Sequence, residues 1–326
     1  MVNQNITSIE GFQYLTDLTS LELYGNKISN ITPLKDLINL TFLDLDGNNI
    51  TDITILENLT NLENLRIARN EITDITPLEN LTNLKRLNIF DNKITDIAVL
   101  SNLTNLEQLI IYNNEITDIT PLKNLTKIKS LGLGNNKITD ITSLTNLTNL
   151  EDLGLEGNKI IDITSLKNLT KLTDLGIDKN KISDISALGN LTLLVGELHF
   201  NDQSVEMTAL VNADGKVEVT NPLKDEKGNI IAPFKISNGG VYDAGTNKIT
   251  WTGLKLGDII TFEFEYKVPP MNRVFDGIVT VSITDEIKLS SQLDNEPKAG
   301  VGNYIELAIF VTLISLCGLV VVKFKK

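Results

Sequence analysis

A leucine recurs every 22 residues through much of this chain. The interval begins at Leu21 and is kept without insertion through seven steps to Leu175. Each leucine opens a copy of the same phrase, as in the segment 65–75, LRIARNEITDI. A period of about 20 to 29 residues with the pattern L-x-x-L-x-L-x-x-N-x-I is typical of a leucine-rich repeat solenoid. The sequence therefore predicts such a solenoid over residues 1–196, with one partial repeat followed by eight repeats.

Each repeat contains a predicted strand, a turn and a short return segment. The alternation of leucine or isoleucine with other residues predicts a strand, and eight stacked strands predict a concave parallel sheet roughly 34 Å long at ~4.8 Å per strand. The segment Thr76-Pro77-Leu78 leaves no room for an α-helix and predicts a 3₁₀ turn on the convex side, with Thr76 as its N-cap. A recurring asparagine after each strand predicts a ladder of hydrogen bonds to the backbone. Its members are Asn26, Asn48, Asn70, Asn92, Asn114, Asn136, Asn158 and Asn180.

The outward positions of the concave sheet are the ones that the repeat leaves free to vary. In the first five repeats they carry aromatic and arginine side chains, a composition typical of protein interfaces. Phe90 and Tyr112 occupy equivalent positions on adjacent strands, and Ile110 lies diagonal to Phe90. The alternative is random variation, because single apolar residues on a surface are normal. The predicted partner-binding residues are Tyr24, Phe42, Arg66, Arg86, Phe90, Ile110 and Tyr112.

The last three repeats replace these large side chains by glycine. Acidic residues surround the glycines, and a solvated acidic face is favoured over a divalent-ion site, so no metal site is predicted. The glycines are Gly132, Gly134, Gly154, Gly157 and Gly176, and the acidic residues are Asp152, Glu156, Asp174 and Asp178.

After the repeats the pattern changes to period two. Glu197 and His199 fall where the 22-residue period places leucines, and residues 205–283 alternate apolar with polar side chains between short turn signals. This pattern predicts an immunoglobulin-like β-sandwich over residues 197–284. Trp251, the only tryptophan, is expected in its core rather than in a ligand site.

The end of the chain reads as a linker followed by an anchor. Residues 285–300 are polar, and residues 301–326 combine an apolar run with a basic tail. A helix over residues 304–322 would be about 28 Å long, enough to span a bilayer. The alternative is a buried core helix. The terminal lysines predict a cytoplasmic C-terminus and extracellular repeats.

Composition excludes several other classes of protein. A formal net charge of −13 argues against a nucleic-acid partner. One cysteine, Cys317, allows no intrachain disulfide, and one histidine, His199, removes most histidine-based catalysis. The chain also lacks the G-x-S-x-G, P-loop and dinucleotide motifs, so we expect neither enzymatic activity nor a cofactor.

The repeat phrase at residues 114–122 and the opening segment 6–11, ITSIEG, resemble the internalin family of Gram-positive bacterial surface proteins. The segment from Gly239 to Trp251 is similar to the inter-repeat β-domain of that family. The resemblance implies a secreted, wall-displayed protein that binds its partners on the concave face. Because Ile6 and Ile9 match positions in the middle of a repeat, we expect that an N-terminal cap and an export signal are missing.

The tail resembles a sortase sorting signal, which implies attachment to peptidoglycan. Residues 296–300, EPKAG, keep the proline and glycine of the L-P-x-T-G pattern but have Glu296 and Ala299 in place of leucine and threonine. Cleavage by a sortase would then fall between Ala299 and Gly300. The predicted sorting residues are Pro297, Lys298, Ala299 and Gly300. Simple retention by the membrane helix remains the alternative.

Two functions follow as hypotheses. In the first, the protein is anchored at the cell surface and binds a surface protein of a host or neighbouring cell through its repeats. In the second, it is a wall-attached spacer or a glycan-associated protein without a protein receptor. An aromatic and arginine-rich patch favours the first, because a spacer has no need of one.

Overall fold

A computed structural model describes residues 2–284, apart from residues 195, 197, 213 and 269–272. It contains the two predicted units, a repeat solenoid and a β-sandwich. The predicted linker, sorting signal and membrane helix over residues 285–326 lie outside the described residues. Within the part that the structure describes, no helix is both long enough and apolar enough to cross a membrane.

Short parallel strands form the concave sheet of the solenoid. Leu21 pairs with Leu43, and the same in-register pairing continues to Leu175, so every leucine of the period faces the interior. Leu43 and Leu65 are fully buried. The strands, in sheet order, are β1 (Ser20–Glu22), β2 (Phe42–Asp44), β3 (Asn64–Arg66), β4 (Arg86–Asn88), β5 (Gln108–Ile110), β6 (Ser130–Gly132), β7 (Asp152–Gly154), β8 (Asp174–Gly176) and β9 (Leu198–His199).

The return segments contain the predicted 3₁₀ helices. Thr76, however, is the first residue of its helix and not the N-cap, so that detail of the prediction is wrong. The carboxylate of Asp74 accepts a hydrogen bond from the Thr76 backbone N–H at 2.8 Å, and aspartates fill the same role in most repeats. The solenoid's 3₁₀ helices span Phe12–Tyr14, Thr32–Leu34, Thr54–Asn58, Thr76–Leu78, Ala98–Asn102, Thr120–Asn124, Thr142–Leu144, Thr164–Asn168 and Ser186–Asn190.

The predicted asparagine ladder is confirmed. The Asn114 side-chain amide donates to Ile111 O in its own turn and to Ile89 O in the preceding turn, both at 3.1 Å. Its Oδ1 accepts from Ile94 N at 3.0 Å. Because Asn114 is 8% exposed, these bonds satisfy backbone groups that water does not reach.

A second ladder, not predicted from the sequence, lies on an exposed side of the solenoid. Its asparagines donate a single bond to a backbone carbonyl in the preceding repeat, as Asn83 does to Thr60 O at 2.9 Å. The members are Asn39, Asn61, Asn83, Asn105 and Asn149.

The repeats continue for one strand more than the eight that the sequence analysis counted. Leu198 pairs with Leu175 in the ninth strand, a step of 23 residues, so the last turn has one extra residue. The extra residue moves Leu198 and Phe200 into the core positions that the 22-residue period assigned to Glu197 and His199. Gln203 then takes the place of the ladder asparagine and donates to Ile177 O at 3.0 Å.

The second unit is a β-sandwich of two three-stranded sheets. The strands are β10 (Gln203–Leu210), β11 (Val217–Thr220), β12 (Val241–Asp243), β13 (Lys248–Trp251), β14 (Ile259–Val268) and β15 (Arg273–Thr284). One sheet has the order β10-β15-β14 and the other β11-β13-β12. Trp251 is 1% exposed, as predicted, and its indole N–H donates to Ser237 O at 2.9 Å.

The two units share one continuous core. Phe200, from the end of the solenoid, packs edge-on against Phe275 of β15 with ring centroids 6.0 Å apart. On the outside, Lys224 forms an ion pair with Asp184 at 2.8 Å. The backbone N–H of Ile185 also bonds to Lys224 O. The sandwich is therefore fixed to the last repeat by apolar, ionic and backbone contacts.

Candidate partner-binding surface

The concave side chains form rows that cross the strands. Parallel strands in register place every 22nd residue side by side, so each row can be read directly from the sequence. The row that begins at Tyr24 runs Tyr24, Asp46, Ala68, Phe90, Tyr112, Gly134, Glu156 and Asp178. The neighbouring row runs Glu22, Asp44, Arg66, Asn88, Ile110, Gly132, Gly154 and Gly176.

The centre of the concave face is an aromatic stack. The rings of Phe90 and Tyr112 lie 4.4 Å apart between centroids and 15° from parallel. The guanidinium of Arg69 lies over the other side of Phe90, with its central carbon 5.0 Å from the ring centroid. Arg69 also pairs with Asp91 at 3.5 Å. The result is a three-layer stack, Arg69–Phe90–Tyr112, which we call the central stack.

Arg69 was not among the predicted binding residues, although the sequence carries a signal for it. Its backbone is left-handed, with φ of 51°. At the equivalent position of other repeats φ is also positive, and the residue is usually Gly, Asn or Asp, the types that adopt this conformation most easily. An arginine there bears a strain of about 1 kcal/mol, which points to a role for its side chain.

Arg66 belongs to a separate acidic group on the neighbouring strands. Its guanidinium pairs with Asp46 at 2.9 Å and with Asp44 at 3.4 Å. Burial raises the pKa of both aspartates, while the charge of Arg66 opposes the rise. Half of the Arg66 side chain remains accessible, but its charge is already engaged inside the protein.

The remaining predicted residues are spread over the sheet. Ile110 lies next to the central stack and is half-buried, whereas Tyr24 lies at the first strand and is 40% exposed. Phe42 and Arg86 lie at the start of their strands, in the row on the far side of Ile110's row. The structure therefore brings Phe90, Ile110 and Tyr112 together and leaves the other four around them.

The carboxylate of Glu156, which the sequence analysis left out of the site, lies over the glycine-rich end of the sheet. A Cβ placed on Gly134 would overlap Oε1 of Glu156, and a Cβ on Gly154 would lie 3.0 Å from Oε2. The Glu156 side chain thus lies flat across the strands that lack side chains. Burial raises its pKa, and the charges of Asp178 and Asp152 raise it further.

A cavity of about 550 Å³ lies elsewhere, at the joint between the two units. Leu188, Leu191 and Phe200 line it together with Glu226, but none of the seven predicted binding residues does. Among the described residues, no group of three or more His, Cys, Asp or Glu side chains is arranged to hold a metal ion.

Family comparisons match both units. The model for leucine-rich repeats (two copies) matches residues 38–80, 60–102, 82–124, 104–146 and 126–168. The model for the internalin J immunoglobulin-like domain matches residues 204–282. A comparison with curated protein sequences gives no match.

Solved structures include several similar proteins. Internalin C2 from Listeria monocytogenes is 41% identical with a TM-score of 0.52, covering 54% of this chain and 78% of that one. An internalin (inlF) from the same organism is 37% identical with a TM-score of 0.47, covering 62% and 73%. A leucine-rich repeat protein from Leptospira interrogans is 28% identical with a TM-score of 0.55, covering 61% and 51%.

The fold and these matches define a leucine-rich repeat protein that carries an immunoglobulin-like domain after its repeats. The identity and coverage shared with internalin C2 take the assignment further. The chain belongs to the internalin family.

Proposed function

We propose that the protein is displayed on a bacterial cell surface and binds a protein of a host or neighbouring cell through its concave face. Internalin-like repeat proteins typically mediate protein interactions, which gives the general class of function. The proposal adds the location, the kind of partner and the surface.

The central stack is the observation that carries the proposal. Arg69, Phe90 and Tyr112 form a preassembled layer at the centre of the concave sheet. Aromatic and arginine side chains dominate the binding energy of protein interfaces, and a rigid arrangement loses little entropy on binding. Ile110 extends the same patch on its apolar side.

The proposed location rests on the sequence of the tail. An apolar run over residues 304–322 with lysines after it favours an anchor whose C-terminus is cytoplasmic, and residues 296–300 resemble a sortase site. The repeats would then lie outside the cell, where a partner on another cell can reach them. The proposal includes no catalytic step, because one histidine and one cysteine offer little chemistry.

Binding of the labelled full chain to a panel of animal and bacterial cells, followed by flow cytometry, tests this proposal. We expect saturable binding to at least one cell type, and loss of at least about 30-fold in affinity when Arg69 and Tyr112 are both replaced by alanine. Phe90 is left in place because it is 9% exposed and supports the fold.

Tyr14→Ala is the matched control. Tyr14 is 79% exposed and lies in a convex 3₁₀ helix, so its removal should leave binding unchanged. If the control lost as much affinity as the double variant, or if no cell type bound the protein saturably, the results would favour the wall-attached spacer over a protein that binds other cells.

A further inference from the structure

The two ring faces of Tyr112 have different neighbours. Because its ring is nearly parallel to that of Phe90, the second face looks along the row towards Gly134, which has no side chain. Gly132 lies beside this space: a Cβ there would come within 3.7 Å of Cδ1 of Tyr112 and 3.4 Å of Cδ1 of Ile110. Tyr112 and Ile110 are therefore the walls of a recess that lies over Gly132 and Gly134.

The carboxylate of Glu156 lies over Gly134, at the floor of this recess. Its Oε1 occupies the place of the Gly134 side chain, one strand spacing (~4.8 Å) from the Tyr112 strand. We call this recess, formed by Ile110, Tyr112, Gly132, Gly134 and Glu156, the tyrosine–glutamate slot. It places a carboxylate beside the face of an aromatic ring.

Charge at the slot is unbalanced. Asp178 and Asp152 disfavour the ionised form of Glu156, His199 favours it, and burial together with these charges leaves its pKa raised. A cation placed beside this carboxylate would offset both the burial and the repulsion. The formal net charge of −13 draws positively charged surfaces towards the protein in the same way.

The central stack already contains the same combination of groups. There the guanidinium of Arg69 lies over the face of Phe90 and pairs with the carboxylate of Asp91. The slot also combines an aromatic face with a carboxylate, one repeat further along the sheet. None of the five residues that form the slot is an arginine or a lysine. A planar guanidinium fits such a site better than an ammonium, because it stacks on a ring and pairs with a carboxylate at once.

We infer that the tyrosine–glutamate slot binds an arginine side chain of the partner, with the guanidinium stacked on Tyr112 and paired with Glu156. This inference rests on the proposed function and specifies it. The partner presents a basic surface, and one of its arginines enters the concave face beside the central stack.

Titration of the full chain with N-acetyl-arginine amide tests the slot without any protein partner. The neutral isostere N-acetyl-citrulline amide serves as the comparison ligand, and the amide NMR signals of Tyr112, Gly132 and Gly134 serve as the readout. We expect saturable shifts with the arginine probe and at least tenfold weaker binding of the citrulline probe.

Three variants locate the site. Glu156→Gln keeps the shape and removes the charge, and should weaken the arginine probe at least fivefold. Gly134→Ala places a methyl group where the carboxylate lies and should abolish binding. Glu57→Gln, the same change at an exposed position on a convex 3₁₀ helix, should have no effect.

If the two probes bound equally well, or if Glu156→Gln bound the arginine probe as well as the wild type does, the inference that the slot binds arginine would be wrong. The proposed function would remain supported in that case if cells still bind the protein through Arg69 and Tyr112. Conversely, a slot that binds the arginine probe on a protein that binds no cell would contradict the proposed function alone.

Discussion

The solenoid and the sandwich differ in how far along the chain their backbone hydrogen-bonding groups find partners. In the solenoid each asparagine of the buried ladder serves its own turn and the one before it, so every repeat depends on its immediate neighbours. In the sandwich, β10 pairs with β15, about 70 residues further along the chain, and the core forms only when distant segments meet.

This difference explains where the candidate site lies. The repeat fixes the inward residues and the ladder but leaves the outward positions of the concave sheet free, so these can change without loss of the fold. The sandwich stabilises the last repeat instead, through Phe200 and Gln203. Variation for binding is therefore expected in the solenoid.

The largest effect should come from the buried ladder. Asn114→Ala removes the donor to Ile89 O and Ile111 O and the acceptor of Ile94 N, and leaves these buried groups unpaired. We expect the free energy of unfolding to fall by about 3 kcal/mol in a urea titration.

Asn83→Ala is the matched control for that change. Asn83 belongs to the exposed ladder and makes a single bond to Thr60 O, so its loss should lower the free energy of unfolding by only about 0.5 kcal/mol. Similar losses for the two variants would contradict the distinction between the ladders.

A smaller effect is expected at the joint between the two units. Gln203→Ala removes the bonds to Ile177 O and Phe200 O and the acceptor of Ile182 N, at the point where the ladder ends and β10 begins. The free energy of unfolding should fall by about 2 kcal/mol. The sandwich should then unfold in a transition of its own, visible as a separate change in Trp251 fluorescence.

Gln108→Ala makes the same substitution on the concave strand β5, outside the ladder. It should keep one shared transition and change stability by no more than about 0.5 kcal/mol. If Gln203→Ala also keeps one transition, the coupling depends on the apolar contact of Phe200 instead.

The smallest expected effect is the difference in stability between glycine substitutions at two equivalent positions, of which one belongs to the central stack and the other does not. Lys179 and Arg69 occupy the same left-handed position of different repeats, with φ of 53° and 51°. Lys179→Gly should raise the free energy of unfolding by about 1 kcal/mol, because glycine adopts this conformation without strain. Arg69→Gly should raise the free energy of unfolding by about 0.5 to 1 kcal/mol less than Lys179→Gly does, because it also loses the contact between Arg69 and Phe90.

Chemical denaturation of both variants and the wild type measures this difference. An Arg69→Gly variant as stable as Lys179→Gly would mean that Arg69 contributes nothing to the folded state through its stack.

Much of the solenoid was predictable because one local rule repeats. The period assigned the strands, the core leucines, the 3₁₀ turns and the ladder, and all of them are confirmed. It also placed Phe90 beside Tyr112, which the structure confirms. A rule of this kind works wherever each residue meets only the equivalent residue of the next turn.

The prediction was wrong where the rule changes by one residue. The extra residue in the last turn shifts Leu198 and Phe200 into the core, and a strict period of 22 cannot show this. The role of Gln203 was hidden for the same reason, and because a glutamine replaces an asparagine there.

Two side chains of the candidate surface extend over a neighbouring repeat, so their contacts could not be predicted from their positions in the rows. Arg69 leaves the turn and lies across Phe90, which belongs to the next repeat. Glu156 extends back over Gly134, and only the absence of a side chain there makes room for it. The available signals were an arginine at a position that is usually Gly, Asn or Asp, and a glycine at position 134 next to Tyr112.

The step of 23 residues at the last turn has a consequence for how such a protein can change length. Copies of 22 residues can be gained or lost between Leu43 and Leu153 without altering either end, because each copy offers its neighbours the same faces. Only the turn before Gln203 is shaped to receive the sandwich. Duplication can therefore lengthen the concave face while the attachment to the rest of the chain stays unchanged.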